Sequence, residues 1–547
     1  MIPVNLDPPK KRTAHYLEIT WLFVLPALLV ALYLQVWRVD FPYWMHGHSD
    51  PDYAYLMNSL RMAELRAPYI VEHPGTPLHA LGAIVIRTMH MFSFEQDMTK
   101  DVLEQSEAYL VGINRVVMVM FLASMLGAGF LALNTTKRIL PALLVQTAPF
   151  AAHACLMAPA RVSPEPILLM CAIWYSAFIF MAERCDGNSR SWVLPAAFGI
   201  VSGVALATKL TFAPLLILPF FLLPDWRGRL RFIFVAISSF LFWTIPIWLE
   251  MDRMLAWIWS IMSHTEERGT GPGGLLDPVK YLEGLKGFLS RIYGNSQLFS
   301  LLLLSGAVAC SAHFLKRIYR KERTRSFPLK FIGVACGVSI LSILLFSKQP
   351  YIRYMVPLFG LSGVFLWYLT NWAIFQIESE AKRRTMKIVL FVLAAVVCGK
   401  SVILDYFPRR LSEMTMQMEE VKRIEQMIRD KYRGQVVVLN YESSTLAYVL
   451  FRGDRWAGKI YGKRIHAMKP DAYCCGLGMG ITNGERSTSF DSFVKQHGQI
   501  LFRSLPGLIE KAPFARGLTV DDVFHGKWET LYMVKPPQGG GEPRKGS

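Results

Sequence analysis

The residues best suited to chemistry stand together in one polar stretch near the amino terminus, Tyr43 to Leu78, YWMHGHSDPDYAYLMNSLRMAELRAPYIVEHPGTPL. Asp50 and Asp52 flank Pro51, and Glu72-His73 precedes Pro74. A carboxylate with an ordinary pKa of ~3.9 is ionised at neutral pH, and as a positioned base it contributes roughly 10²–10⁴ in rate. Two carboxylates spaced Asp-x-Asp also suit Mg²⁺ or Mn²⁺, although a pair alone does not complete a coordination shell. A plainer reading stands beside each. Asp50 as N-cap and Pro51 at the first helical position would simply open a helix over Asp52–Arg66, and Glu72-His73 would be a solvated turn, or would orient a substrate or add a metal ligand.

These residues need a scaffold, and its kind is plain from composition. The chain has 547 residues, 52% of them hydrophobic, with a mean hydropathy of +0.30. Apolar runs recur near the ~20 residues that cross ~30 Å of hydrocarbon, which excludes a soluble globular protein and predicts a multi-pass α-helical membrane protein. Eleven spans are expected, over approximately Ile19–Trp37, Leu110–Leu133, Leu140–Met157, Pro164–Ala182, Trp192–Thr208, Phe212–Leu223, Phe232–Leu249, Leu298–Leu315, Phe331–Phe346, Met355–Trp372 and Ile388–Leu404. Acidic side chains beside a bilayer are costly without a partner or a task, so the loop carrying Asp50, Asp52 and Glu72 is a functional-site candidate.

The formal charge of +18 belongs to the membrane and not to nucleic acid, because the Lys and Arg cluster at span ends and no nucleic-acid motif accompanies them. With a cytoplasmic amino terminus (Lys10, Lys11, Arg12), strict alternation puts the basic loops at Lys137/Arg138, Arg227–Arg231, Lys316–Lys330 and Lys382–Lys387 on the same side. The opposite side receives the 38–109 loop, the Ala158–Ser163 turn, Lys209, the 250–297 loop, the Ser347–Tyr354 turn and everything after Leu404. This orientation requires Leu78–Phe92, interrupted by His79 and Arg87, to lie in the interface; as a true span it would invert all that follows. No cleavable signal peptide is evident, and neither CxxC nor Cys/His metal spacing occurs.

Residues 1–404 therefore read as a transmembrane domain and 405–535 as a small extramembrane α/β domain. In the latter a helical pattern over Ser412–Tyr432 precedes a β-branched run at Gln435–Asn440, helical character returns over Glu442–Phe451, and strands are expected at Ile500–Arg503 and Thr530–Val534. Residues 536–547, rich in Gly, Pro and charge, are expected to be disordered.

Several short motifs carry a resemblance. An acidic motif ahead of Tyr53-Ala54, the HPGTPL segment, Arg115 opening the next span and the Lys348–Pro357 run KQPYIRYMVP together resemble the GT-C membrane glycosyltransferases. The nearest in kind are the protein O-mannosyltransferase and aminoarabinose transferase superfamily and its rhizobial lipid A galacturonosyltransferase relatives. Where aminoarabinose transferases have Asp-Glu before Arg-Tyr-Ala and His/Lys-Pro-Pro-Leu later, this chain has DPDYA and HPGTPL, so the sugar does not follow from the likeness. The resemblance implies transfer of a sugar from a polyprenyl-phosphate donor, with inversion, to a glycolipid, polysaccharide or protein acceptor on the periplasmic face of a bacterial inner membrane.

On that reading Asp50 is the first candidate for general base, three residues before Tyr53-Ala54, and Asp52 the second; Asp-x-Asp is also the metal-binding pattern of many glycosyltransferases. The leaving phosphate needs cations, as point charge or bidentate fork. Lys209, Lys348 and Arg353, with Tyr351 and Tyr354, rank first because they resemble donor-phosphate positions, and Arg161 in ARVSPEP follows, with Glu165 its possible ion-pair partner. Each cation singly has the alternative of snorkelling to lipid headgroups. The glycine-rich Gly269–Gly274 run in the 250–297 loop has the composition of a lid. The rival function is a polyprenyl-linked glycan flippase or secondary transporter, whose charges are expected near mid-membrane on broken helices.

Overall fold

The computed structural model describes residues 19–46, 49–72, 74–184, 191–266, 269–274, 277–320, 326–375, 377, 379–440, 443–475, 480–482, 487–509 and 517–537. His73 and residues 538–547 of the tail expected to be disordered lie outside them, as do the side chains of Ser49 and Asp50. The chain divides into two compact units: Met1–Leu34, Ile70–Leu78 and Asn114–Pro408 form one, and Gln35–Tyr69, His79–Ile113 and Arg409–Ser547 the other. The extramembrane tail thus shares its unit with two stretches of the 38–109 loop that its sequence position alone assigned to the transmembrane domain.

This is a multi-pass helical membrane protein. Among the described residues seven helices are long and apolar enough to cross a bilayer: Ile19–Asp40, Ser106–Thr136, Glu165–Arg184, Trp226–Ser263, Gln297–Lys316, Phe327–Phe346 and Glu380–Lys431. An eighth is the pair Ile352–Phe359 and Ser362–Ile374, bent by 51°. The count falls short of eleven for a local reason. Proline removes a backbone donor and clashes with the preceding turn. Leu140–Met157 accordingly breaks into a helix over Ile139–Gln146, a 3₁₀ turn over Ala148–Phe150 around Pro149, and His153–Met157. Leu210–Leu222 is half 3₁₀ around Pro214, and Val193–Thr208 has only 16 residues, about 24 Å at 1.5 Å each. The helix Thr76–His90, where an interfacial segment was expected, has 15 residues and is not among the long apolar ones.

In the second unit a seven-stranded sheet has the order β4-β3-β2-β1-β5-β7-β6. Its strands are β1 Val437–Leu439, β2 Ala472–Cys475, β3 Gly480–Thr482, β4 Ser487–Ser489, β5 Ile500–Ser504, β6 Thr519–His525 and β7 Thr530–Lys535. The central β1 is parallel to β2 (Val437 opposite Ala472) and to β5 (Val437 opposite Leu501), and the outer pairs are antiparallel. On one face Val438, Phe502, Tyr532 and Val534 pack with Phe490 and Phe493 of the helix Phe490–His497. On the other, Leu501, Leu531 and Met533 receive Ile424, Met427 and Ile428 of the helix Phe407–Lys431.

Candidate functional site

In the membrane unit three chain breaks hold the charged groups. Glu165 begins a span, at the end of a helix where the backbone dipole favours an acid. Lys209 is the extended residue between the helix Val193–Thr208 and the 3₁₀ turn Leu210–Leu216. Tyr354 and Arg353 sit in the 3₁₀ turn Ile352–Met355 that opens the bent pair. Lys209 Nζ donates to Glu165 Oε1 at 2.7 Å and lies 4.9 Å from the centre of the Tyr354 ring. Both ionised side chains are buried, at 3% and 8% exposure.

The Arg353 guanidinium acts electrostatically on Glu165 and lies 5.4 Å from the Tyr351 ring centre. Tyr351 and Tyr354 meet edge to face at 5.6 Å. Two cations thus share one carboxylate, between two aromatic rings.

The HPGTPL segment is pinned to the same junction. Gly75 N donates to Thr208 O at 3.2 Å and Thr76 Oγ1 reaches Ala207 O at 3.5 Å, the two residues before Lys209. Gly75 has φ +64°, a conformation that favours glycine and fixes the turn after Pro74. Val71 packs with Ile247 and Met254, while Glu72 accepts from the backbone N of Val71 at 3.1 Å.

Lys348 is directed elsewhere: its ammonium donates to Ile261 O, and burial lowers its pKa. It lines a cavity of about 380 Å³ together with Glu266, Asp277 and Lys280. The glycine-rich run forms the tip of a small hairpin, with His264 bridging Gly273 and Glu266 N donating to Thr270 O at 3.0 Å. Its flanking helices hold the KQPYIRY turn: Arg291 Nη1 donates to Pro350 O at 2.9 Å and Tyr281 to Leu344 O at 2.7 Å. Arg161 is half-buried in the turn four residues before Glu165, whose ion pair is made with Lys209. Arg115 is exposed on its span.

In the second unit the acidic loop is held by a residue that the sequence reading passed over. Glu107, in the first turn of Ser106–Thr136, accepts from Tyr43 N at 2.9 Å, from Trp44 N at 3.3 Å and from the Tyr53 hydroxyl. One carboxylate thereby ties both ends of the 43–53 loop. Burial, with Glu107 and Asp52 beside it, raises the Tyr53 pKa well above its usual value, so the hydroxyl remains a donor.

Asp52 itself is fully buried. Asp50 does not cap a helix over Asp52–Arg66: its backbone lies inside a π-turn, Ser49–Tyr53, that runs straight into the helix Ala54–Ala63, whose cap residue Tyr53 makes no side-chain cap bond. Starting the helical run at Ser49 moves Asp50 from the position before the first turn into it. Among the described residues no three His, Cys, Asp or Glu side chains meet as a metal set. The described residues therefore do not complete the Asp-x-Asp pair, and no step is derived through a metal.

The tail domain grips this loop from outside. Asn58 Nδ2 donates to Trp456 O at 3.0 Å while its Oδ1 accepts from Tyr69 N at 2.7 Å, and Arg61 Nη1 donates to Ala457 O at 2.8 Å. Arg464 holds both oxygens of Asp97, at 2.7 and 2.8 Å, and Tyr461 donates to Glu64 at 3.1 Å. His79 packs on Tyr55 with ring centres 4.9 Å apart; burial lowers its pKa to about 3, so it is neutral.

No family model and no curated protein matches the chain. Two solved structures are similar to it, both of ArnT from Cupriavidus metallidurans. The apo state has a TM-score of 0.48 and the undecaprenyl phosphate-bound state 0.44, each at 14% identity over 93% of this chain and 97% of that one.

The expected site residues thus fall into three groups. Lys209, Arg353, Tyr351 and Tyr354 gather around Glu165 in the membrane unit; Lys348 faces its own cavity; Asp50 and Asp52 belong to the second unit with Glu107. A signal for Glu107 and Glu165 was present in the sequence, since each is an acid in the first turn of a long apolar helix.

Proposed function

We propose that the protein is a membrane glycosyltransferase that moves a sugar from a polyprenyl-phosphate donor to an acceptor at the non-cytoplasmic face, which is the periplasmic face in a bacterial inner membrane. The observation that carries this reading is the buried Glu165, Lys209 and Arg353 group with its two tyrosines. One negative and two positive charges leave a surplus of one, which suits a phosphodiester in the ground state. Preorganised cations in a dry site gain most as charge develops, here on the phosphate oxygen leaving the anomeric carbon. The tyrosine rings supply apolar and cation–π contacts beside the charges.

Asp52 is the residue whose burial and tethering fit a general base, with Asp50, in the same π-turn, as the second candidate. Its part is to take the acceptor hydroxyl proton as the oxygen attacks the anomeric carbon, while the carbon–oxygen bond to phosphate breaks with inversion. Glycolipid, polysaccharide and protein hydroxyls all meet that requirement.

The test is transfer itself. Proteoliposomes of the full chain receive a panel of polyprenyl-phosphate sugars and glycolipid acceptors, and products are read by mass spectrometry. Asp52→Asn is expected to lower transfer at least 100-fold and Lys209→Met at least 10-fold, with normal expression. Undiminished transfer by an Asp50→Asn, Asp52→Asn double variant would exclude the base, and movement of the donor across the bilayer without transfer would favour a flippase.

A further inference from the structure

The face of the sheet that carries the helix Phe407–Lys431 is only half covered. That helix packs on β5 and β7 through Leu501, Leu531 and Met533. Beside it, Val437 and Leu439 of β1 and Ala472 of β2 form part of the wall of a cavity of about 410 Å³. Trp44 closes another side, brought there by the same 43–53 loop that carries Asp52. Glu425 and Arg503 stand at the cavity wall.

The polar end of this cavity is fixed. Arg503 is fully buried; its Nε meets Glu529 at 2.5 Å, its Nη1 meets Glu425 at 2.5 Å and its Nη2 donates to Ser444 O at 3.1 Å. Glu529 in turn accepts from Ser444 N. Glu425 is 36% exposed, so its carboxylate is both anchored from behind and reachable from solvent. A buried ion pair is a weak source of stability compared with apolar packing. One that holds a carboxylate in a single orientation at a cavity wall is better understood as preorganisation for a ligand.

Charge narrows the ligand class. Arg503 is matched by Glu425 and Glu529, and at the rim Lys469 is matched by Asp471. The lining therefore has no surplus cation for a phosphate. What it offers is an indole face, an aliphatic floor and an oriented acceptor of hydroxyl hydrogen bonds. A pyranose has that mixture, with an apolar C–H face for an aromatic ring and hydroxyls on its edge.

We propose that this cavity is a carbohydrate-binding subsite for an uncharged sugar ring of the acceptor. The assignment to the acceptor rests on the transferase reading; the binding of a sugar does not. Glu107 links the two places physically, because it accepts from Trp44 N and from the Tyr53 hydroxyl next to Asp52.

Saturation-transfer NMR on the full chain in detergent micelles, with maltose, lactose and chitobiose as probes, tests it. At least one disaccharide is expected to receive saturation. Trp44→Ala, which removes the indole, and Ala472→Leu, which fills the floor without touching a hydrogen bond, are each expected to cut the signal at least fivefold. Trp44→Phe should retain a measurable part of it. No signal from any of the three probes, or a signal that survives both Trp44→Ala and Ala472→Leu, overturns the proposal. Asp52→Asn should bind the disaccharide as the unaltered chain does. If transfer proves independent of Asp52 while Trp44→Ala abolishes binding, the base assignment fails and the subsite stands; the converse result removes the subsite alone.

Discussion

Separating what the buried ion pair does for stability from what it does for phosphate needs both partners changed together. At 2.7 Å and an effective dielectric constant near 20, the Glu165–Lys209 attraction is about 6 kcal/mol. Taking both charges out of water offsets much of that, so the net value of the pair is far smaller. Removal of one partner is different, because it strands a charge where water cannot reach it, at about 3–5 kcal/mol. Lys209→Met and Glu165→Gln are therefore each expected to destabilise by that amount, and the double variant by clearly less than the sum. Unfolding of the purified protein by SDS titration gives the coupling energy, about 2–4 kcal/mol if the pair behaves as described.

Donor affinity is expected to follow a different rule. It follows net charge: Glu165→Gln leaves two cations and should bind undecaprenyl phosphate as tightly as the unaltered chain or more so, while Lys209→Met and the double variant should lose at least tenfold. Stability and affinity thus move in opposite directions for Glu165→Gln. A coupling energy near zero, or a double variant that binds undecaprenyl phosphate within twofold of the unaltered protein, would refute the assignment of this cluster to phosphate.

Three further outcomes follow from the second unit. Glu107→Ala releases Tyr43 N, Trp44 N and the Tyr53 hydroxyl at once; it should lower transfer at least tenfold, with Glu107→Gln intermediate, in the proteoliposome assay. A Cβ on Gly453 would stand 2.9 Å from the Tyr53 carbonyl oxygen. Because backbone has to move, Gly453→Val should lower both the apparent melting temperature and transfer, and equal melting curves would show that the tail does not brace the loop. Burial raises the Asp454 pKa to about 6 from an ordinary 3.8, while its Oδ1 accepts from Tyr461 N at 2.8 Å. Between those two pH values the folded state binds the extra proton, so this group's stability contribution falls as pH rises from about 4 to about 6 and is level above that. Asp454→Asn should raise the apparent melting temperature at pH 7.5, at most by the equivalent of about 3 kcal/mol, and leave it unchanged near pH 4.

Much of the fold was legible because hydropathy is a local signal. Each of the eleven expected spans falls on helix, and the tail strands expected at Ile500–Arg503 and Thr530–Val534 are β5 and β7. Hydropathy does not report whether a helix continues through Pro149, Pro214 or Pro219, and so the spanning count was too high. The partnership of the tail with 35–69 and 79–113 was not legible either. It rests on contacts such as Asn58 with Trp456 and Asp97 with Arg464, hundreds of residues apart, made by exposed-looking polar residues with no periodic signature.

For the site, residue type was legible and pairing was not. Lys209 and Arg353 could be recognised as cations at span ends, but Glu165 is separated from Lys209 by a whole span and a half-helix. A recurrent feature does distinguish the acids that organise their surroundings. Glu107 and Glu165 both lie in the first turn of a long apolar helix, where the positive end of the dipole favours them and neighbouring helix ends leave donors without intrahelical partners. Glu380 occupies the same kind of position and is 89% exposed, paired only with Arg383 one turn away. The difference is in what precedes each. Lys382, Arg383 and Arg384 surround Glu380 with solvated charge, whereas the residues flanking Glu165 are Pro164 and Pro166 and no cation follows until Glu183-Arg184. A first-turn acid without a cation within reach along its own helix must find its partner elsewhere in the fold, and in this chain the partner of Glu165 was Lys209, a residue already marked for phosphate.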